Sequence, residues 1–119
     1  MPSKYKAKRV TDERYGLFDS QREYRRFLQL KRMEEDGEIE GLERQFKFIL
    51  IPKTPLPYPY REKNGRMKNC EKEVSYIADF VYKRGTRTIV EDSKGFRTES
   101  YILKRKLMLF VYGIQIEEV

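Results

Sequence analysis

Pro52, Pro55, Pro57 and Pro59 crowd one short stretch of the chain and divide it in two. Proline lacks a backbone N–H and fixes φ, so this spacing forbids both a helix and a central strand. Residues 52–71 (PKTPLPYPYREKNGRMKNCE) therefore read as a long loop. It carries Lys53, Arg61, Lys63, Arg66 and Lys68, with Tyr58 and Tyr60 among them. Basic residues interleaved with aromatics suit a segment that enters a nucleic-acid groove or stacks on an unpaired base. A dimer arm, or a surface segment without one conformation, has the same composition.

Periodicity organises the flanks. Ser20 followed by Glu23 is a capping-box pattern, and Gly37 suits a helix end, which predicts a helix over 20–36 with Tyr24, Phe27, Leu28 and Leu30 as its apolar face. Alternation of Phe46, Phe48 and Leu50 predicts a strand at 44–51. Beyond the loop, strands are predicted at 72–82 and 87–94, joined by a turn at Lys83-Arg84-Gly85-Thr86. Thr98 caps a second predicted helix over 98–111 with Leu103, Leu107 and Phe110 on one face, and a short strand follows at 114–116. Residues 1–15, basic and weakly periodic, read as a basic N-terminal arm or an irregular lead-in. The order is helix, three strands, helix, strand. The expectation is one mixed α/β domain spanning residues 1–119.

Charge narrows the partners and composition narrows the chemistry. Lys plus Arg number 26 against 19 Asp plus Glu, a net charge of +7, which favours an anionic partner and nucleic acid before others. There is no histidine, so Ser-His-Asp and Cys-His nucleophile systems and His-based zinc sites are excluded. The single cysteine, Cys70, allows no internal disulfide and no cysteine-rich zinc module. Catalysis would fall to Asp, Glu, Lys, Tyr or a metal held by oxygen ligands. No apolar run approaches spanning length, so a cytoplasmic protein without a membrane partner is expected.

A chemical constellation lies in the predicted hairpin. Side chains alternate along a strand, which places Ile77, Asp79 and Val81 on one face and Val90, Asp92 and Lys94 on one face of the next strand. Pairing those strands brings Asp79 near Asp92. Two facing carboxylates repel, and a hard cation such as Mg²⁺, with Mn²⁺ as its substitute, relieves the repulsion. Lys94 beside them would orient a water or offset charge in a phosphoryl transition state. Glu23 shares a helical stripe with Phe27 and Leu30 and supplies a third carboxylate. The plainer alternatives are a Glu23 that only completes the cap of Ser20, an Asp79 paired with arginine, and Asp92 and Lys94 on a solvated edge.

Phe18-Asp19-Ser20-x-x-Glu23, Leu42-Glu43-x-Gln45, Tyr76-Ile77-Ala78-Asp79-Phe80 and Val90-Glu91-Asp92-Ser93-Lys94-Gly95 together resemble the PD-(D/E)xK nuclease superfamily. More narrowly, the chain from about residue 4 to 119 is similar to small phage and prophage proteins linked to phage endonuclease I and Holliday-junction resolvases. The resemblance implies a restriction-endonuclease-like core, a central mixed sheet flanked by helices, and metal-dependent hydrolysis of DNA phosphodiesters. It implies Asp79 and Asp92 as the motif's acids, Lys94 as its lysine, and Glu23 as the helix-one glutamate of resolvase-like members. Gln45 resembles a glutamine found at this strand in some branches. Ala78 departs from the motif's proline, and the second acid is Asp rather than the commoner Glu.

The combined expectation is a Mg²⁺-dependent endonuclease of phage or prophage origin in a bacterial cytoplasm, directed to DNA structure rather than sequence. Glu23, Asp79 and Asp92 would hold the metal with help from the Ser93 carbonyl. Arg97, the N-cap Thr98, Lys104, Arg105 and Lys106 would bind the backbone together with the basic loop. A homodimer suits a symmetric branched substrate. The rivals are an inactive nucleic-acid-binding module and a phage accessory protein that meets partners through the proline-rich loop.

Overall fold

The computed structural model describes residues 8–93 and 96–119. Residues 1–7 of the expected basic arm lie outside the described residues, as do Lys94 and Gly95. Within the stretch expected as that arm, β1 (Val10–Asp12) pairs with β2 (Gly16–Phe18) as a small antiparallel hairpin, so its later part is a strand and a turn rather than an irregular lead-in. Helix α1 (Gln21–Glu35) begins at Ser20, whose Oγ accepts the Glu23 N–H at 3.1 Å.

The central sheet is built from β3 (Glu40–Ile51), β6 (Val74–Arg84), β7 (Arg87–Asp92) and β8 (Glu117–Glu118), in that spatial order. The first three run antiparallel, and β8 lies parallel to β7. A two-residue turn, Gly85-Thr86, joins β6 to β7, with Gly85 at φ 63°. The parallel pairing of β8 requires a crossover, supplied by α2 (Glu99–Tyr112). Thr98 Oγ1 caps that helix by accepting the Tyr101 N–H, and left-handed Gly113 ends it. The result is an α+β fold with a mixed central sheet and two helices. Its last strand falls at Glu117–Glu118 rather than at 114–116.

The helices pack on separate cores. α1 contributes Phe27 and Leu30 to a cluster with Phe18, Ile39, Phe80, Tyr82 and Ile89. α2 contributes Tyr101 and Met108 to another with Phe48, Leu50, Tyr76, Ala78 and Val90. Ile89 and Val90 are neighbours in β7, so at that strand the two clusters occupy opposite faces. The inward face of α2 differs from the one periodicity suggested. Leu107 packs on the α2 core as expected, but Leu103 and Phe110 point outward, Phe110 at 86% exposure, while Tyr101 and Met108 are buried.

Residues 52–71 are not a loop. β4 (Thr54–Arg61) and β5 (Met67–Glu71) form a two-stranded antiparallel hairpin separate from the central sheet. Proline excludes a residue from a central strand but not from a two-stranded ribbon with open edges. Each of these strands packs chiefly against the other. The chain is correspondingly extended, with a radius of gyration of 17.9 Å, whereas a compact fold of this length has about 13.5 Å. Among the described residues no helix is long and apolar enough to cross a membrane.

Candidate active site

The alternation of β3 and β6 breaks at one point, and the acidic cluster lies there. Along β6, Tyr76 and Ala78 join the α2 cluster, whereas Phe80 and Tyr82, of the same parity, join the α1 cluster. Along β3, Phe48 and Leu50 face the α2 core, while the Arg44 guanidinium sits 3.6 Å from the centre of the Phe18 ring in the other core. The changeover falls at Asp79 and Gln45, which lie opposite one another between the Arg44–Phe80 and Phe46–Ala78 pairs. Gln45 has φ 51°, the one left-handed non-glycine among the described residues. Period-two reasoning put Ile77, Asp79 and Val81 on a single apolar face. Instead Ile77 is exposed and Val81 packs on the α2 core.

Five of the predicted site residues meet at this point. Gln45 Nε2 donates to Glu23 Oε1 at 3.0 Å and lies 3.4 Å from Asp79 Oδ1. Asp79 Oδ2 accepts the Ser93 backbone N–H at 2.7 Å. The Asp79 carboxyl also lies against that of Asp92. Extending the β6–β7 register one step past Phe80–Glu91 sets these two acids opposite each other, as the hairpin reading required. Asp92 is 1% exposed, and its Oδ2 accepts the Tyr76 hydroxyl at 2.6 Å. Glu23, 3% exposed, is not a simple capping-box partner. Its carboxylate turns to Gln45, with Arg44 Nη2 at 3.8 Å.

Electrostatics follows from this crowding. Burial, and then the hydrogen bond and charge of Asp92, push the Asp79 carboxyl up to about 8. Burial also raises Glu23, aided by Asp19 and opposed by Arg44 and Gln45. Burial raises the Tyr76 hydroxyl, aided by its bond to Asp92, so it stays a donor. Two abutting carboxyls hold together in this way by keeping a proton. A divalent cation does the same work by replacing it, so the donor set fits a hard metal. Ser93 Oγ is buried beside them without a hydrogen-bond partner. Among the described residues no three His, Cys, Asp or Glu side chains form a cage for an ion, so protein oxygens would supply only part of a coordination shell.

The neighbouring acid has a different role. Glu91, adjacent to Asp92 in β7, faces the other way and takes a bidentate bond from Arg26 at 2.8 and 2.7 Å. The Tyr82 hydroxyl donates to the same carboxylate. Sequence reasoning gave no role to Arg26, Tyr82, Tyr76 or Arg44. Tyr76 was within a quoted motif, but nothing in a sequence signals which hydroxyl will reach a given carboxylate.

The predicted phosphate contacts divide. Arg97 bonds Glu118 Oε1 through Nε at 2.9 Å and Nη2 at 2.7 Å, and Arg105 Nη1 lies 3.5 Å from Oε2. The Tyr101 hydroxyl donates to the same Oε2, and these partners, Arg97 first, hold Glu118 down to about 2. Lys104 and Thr98 line a cleft of about 300 Å³ with Ser75, Tyr76 and Tyr101, next to the acidic pair. Lys106 lies on another side of α2, in a groove with Leu109 and Gln115, because consecutive helical residues point about 100° apart. On the hairpin, Arg61 Nη1 closes the turn onto the Gly65 carbonyl, and Lys68 pairs with Glu71. Lys53, Lys63 and Arg66 are exposed. Lys94 lies outside the described residues.

A family model described as a protein of unknown function (DUF1064) matches residues 2–116 of the chain. No curated protein and no solved structure matches it.

Proposed function

The chain belongs to the DUF1064 family, whose description assigns no activity, and we propose that this member is a metal-dependent endodeoxyribonuclease directed to branched DNA. On this reading the β3–β6–β7–β8 sheet with α1 and α2 is the PD-(D/E)xK core. The observation that carries the proposal is the Asp79–Asp92 contact, two carboxyls from adjacent strands that meet with burial and like charge against them. Such a pair weakens a fold unless something is gained by it, and a hard cation is the usual gain.

Asp79 and Asp92 would hold Mg²⁺ or Mn²⁺ with the Ser93 carbonyl, and Glu23 would act through the outer shell across Gln45. Mg²⁺ suits a partial protein shell, since it keeps several waters and takes one or two carboxylates plus substrate phosphate. When bound, the ion would polarise the phosphodiester and acidify a water, which answers the lack of histidine. The chain's own residues do the rest. Tyr76 fixes the orientation of Asp92 and Gln45 keeps Glu23 and Asp79 in register, while Lys94, two residues after Asp92 in the sequence, would supply an ammonium for the developing charge. Lys104 and the N-terminus of α2 at Thr98 would take a flanking phosphate, with Lys53, Lys63 and Arg66 contacting the backbone further out. The outer side of α2, with Leu103, Leu109 and Phe110 exposed, offers apolar surface for the homodimer that a symmetric junction would engage.

The test incubates linear, nicked and four-way-junction DNA with the protein in Mg²⁺, Mn²⁺ or EDTA, beside Asp92→Asn. Cleavage by the wild type in either metal, lost in EDTA and in the variant, is the expected result. No cleavage of any substrate in either metal refutes the proposal.

A further inference from the structure

We propose that Tyr58, raised on a proline-stiffened bulge of the β4–β5 hairpin, is a stacking platform for an unpaired nucleobase, which makes the hairpin a selector of single-stranded or splayed DNA over blunt duplex. This rests on the nucleic-acid reading above and adds to it the substrate feature that is recognised.

The register of the hairpin is the starting point. Pro55 lies opposite Cys70 and Tyr60 opposite Lys68, so residues 56–59 face Asn69 alone. Pro57 and Pro59 offer no N–H to the ladder, which is why the chain bows out between them. At the bow stands Tyr58, 88% exposed, the highest value among the large apolar side chains described. Pro57 fixes its own φ, and Pro59 confines Tyr58 to extended backbone, so the ring is presented by a stiff support.

An aromatic ring in water adds nothing to the stability of the fold. Held out on a rigid mount, it loses little entropy when another flat surface covers it. The surroundings indicate what that surface is. Residues 52–71 carry Lys53, Arg61, Lys63, Arg66 and Lys68 against only Glu62 and Glu71, so the hairpin is complementary to a polyanion. A ring within a cationic field matches a base attached to its phosphates, and a base in an intact duplex has no free face to offer. Tyr60, 51% exposed and near Lys68, extends the platform.

The test measures fluorescence anisotropy of labelled single strand, blunt duplex and four-way junction with the full chain in EDTA. Tyr58→Ala is expected to weaken single-strand and junction binding about tenfold and to erase the preference over duplex. Tyr58→Phe, which keeps the ring, should stay within about twofold of wild type. A Lys63→Gln/Arg66→Gln double variant should weaken all three DNAs alike and flatten the salt dependence. Wild-type affinities for Tyr58→Ala overturn the proposal. So does a loss of self-association on sedimentation with DNA binding intact, which would make the ring a contact between copies. Repeating the assay with Mg²⁺ separates the two ideas. Cleavage with a Tyr58→Ala variant that binds normally sinks the platform alone, and weakened binding by that variant in a protein that never cuts sinks the nuclease alone.

Discussion

Gln45 faces Asp79 across β3 and β6 with its backbone in the left-handed region, φ 51°, and its amide 3.4 Å from the Asp79 carboxylate. A non-glycine residue held there inside a strand carries strain of about 1–3 kcal/mol. The strain coincides with the place where both strands exchange one core for the other. Gln45→Gly should therefore remain within about 1 kcal/mol of wild type in urea denaturation, since glycine adopts this conformation freely. Gln45→Val should lose about 1–3 kcal/mol, because a β-branched residue resists it. Equal losses in the two variants would show that the backbone is not the constraint.

Asp79 makes stability depend on pH in a defined direction. Its carboxyl is raised to about 8 in the folded protein, against about 3.9 in an unfolded chain. The folded state thus binds the proton more tightly, and the resulting stabilisation is complete below about pH 4. It falls as the pH rises towards 8 and is gone above that. In EDTA the melting temperature should drop between about pH 4 and 8, and Asp79→Asn should flatten the drop. Mg²⁺ should restore the melting temperature most strongly at alkaline pH. An alkaline limb unchanged by Asp79→Asn would assign the effect to another group.

Tyr76 reaches the acidic pair through its hydroxyl, which donates to Asp92 Oδ2. On the nuclease proposal, Tyr76→Phe keeps the packing against Phe48 and Tyr101 and loses the hydroxyl alone. Cleavage should fall about 10–100-fold, with a weaker dependence on Mg²⁺ concentration, while the protein stays folded. Wild-type metal dependence would remove Tyr76 from this role.

Arg26 and Glu91 give a control on the opposite face of β7. Arg26→Met strands a buried carboxylate and should lower stability by about 3 kcal/mol in urea denaturation. Arg26→Met combined with Glu91→Leu should recover much of that loss, because both charges leave together. A double variant as unstable as the single one would show that packing, not charge, governs the position.

Local rules made several features legible. Ser20 and Thr98 cap their helices because a hydroxyl satisfies an end N–H wherever the chain turns inward. Gly85 marked the turn that sets Asp79 against Asp92. Other features depend on tertiary context. In α2, apolar residues run from Met108 to Tyr112 almost without a break, so periodicity could not decide that Met108 turns in and Phe110 out. The exchange of faces at Gln45 was hidden because glutamine does not advertise a positive φ. The proline run excluded a central strand, and nothing in it excluded a free-standing ribbon. Glu91 and Asp92 look equivalent as letters, and only the three-dimensional positions of Arg26 and Tyr76 separate their roles.

The acidic cluster is gripped from both faces of one sheet. Glu23 rides on the helix that packs through Phe27 and Leu30 into one core, while Asp92 is tied through Tyr76 to the other. Neither core alone sets the spacing of the acids, so a packing defect beneath either helix reaches them.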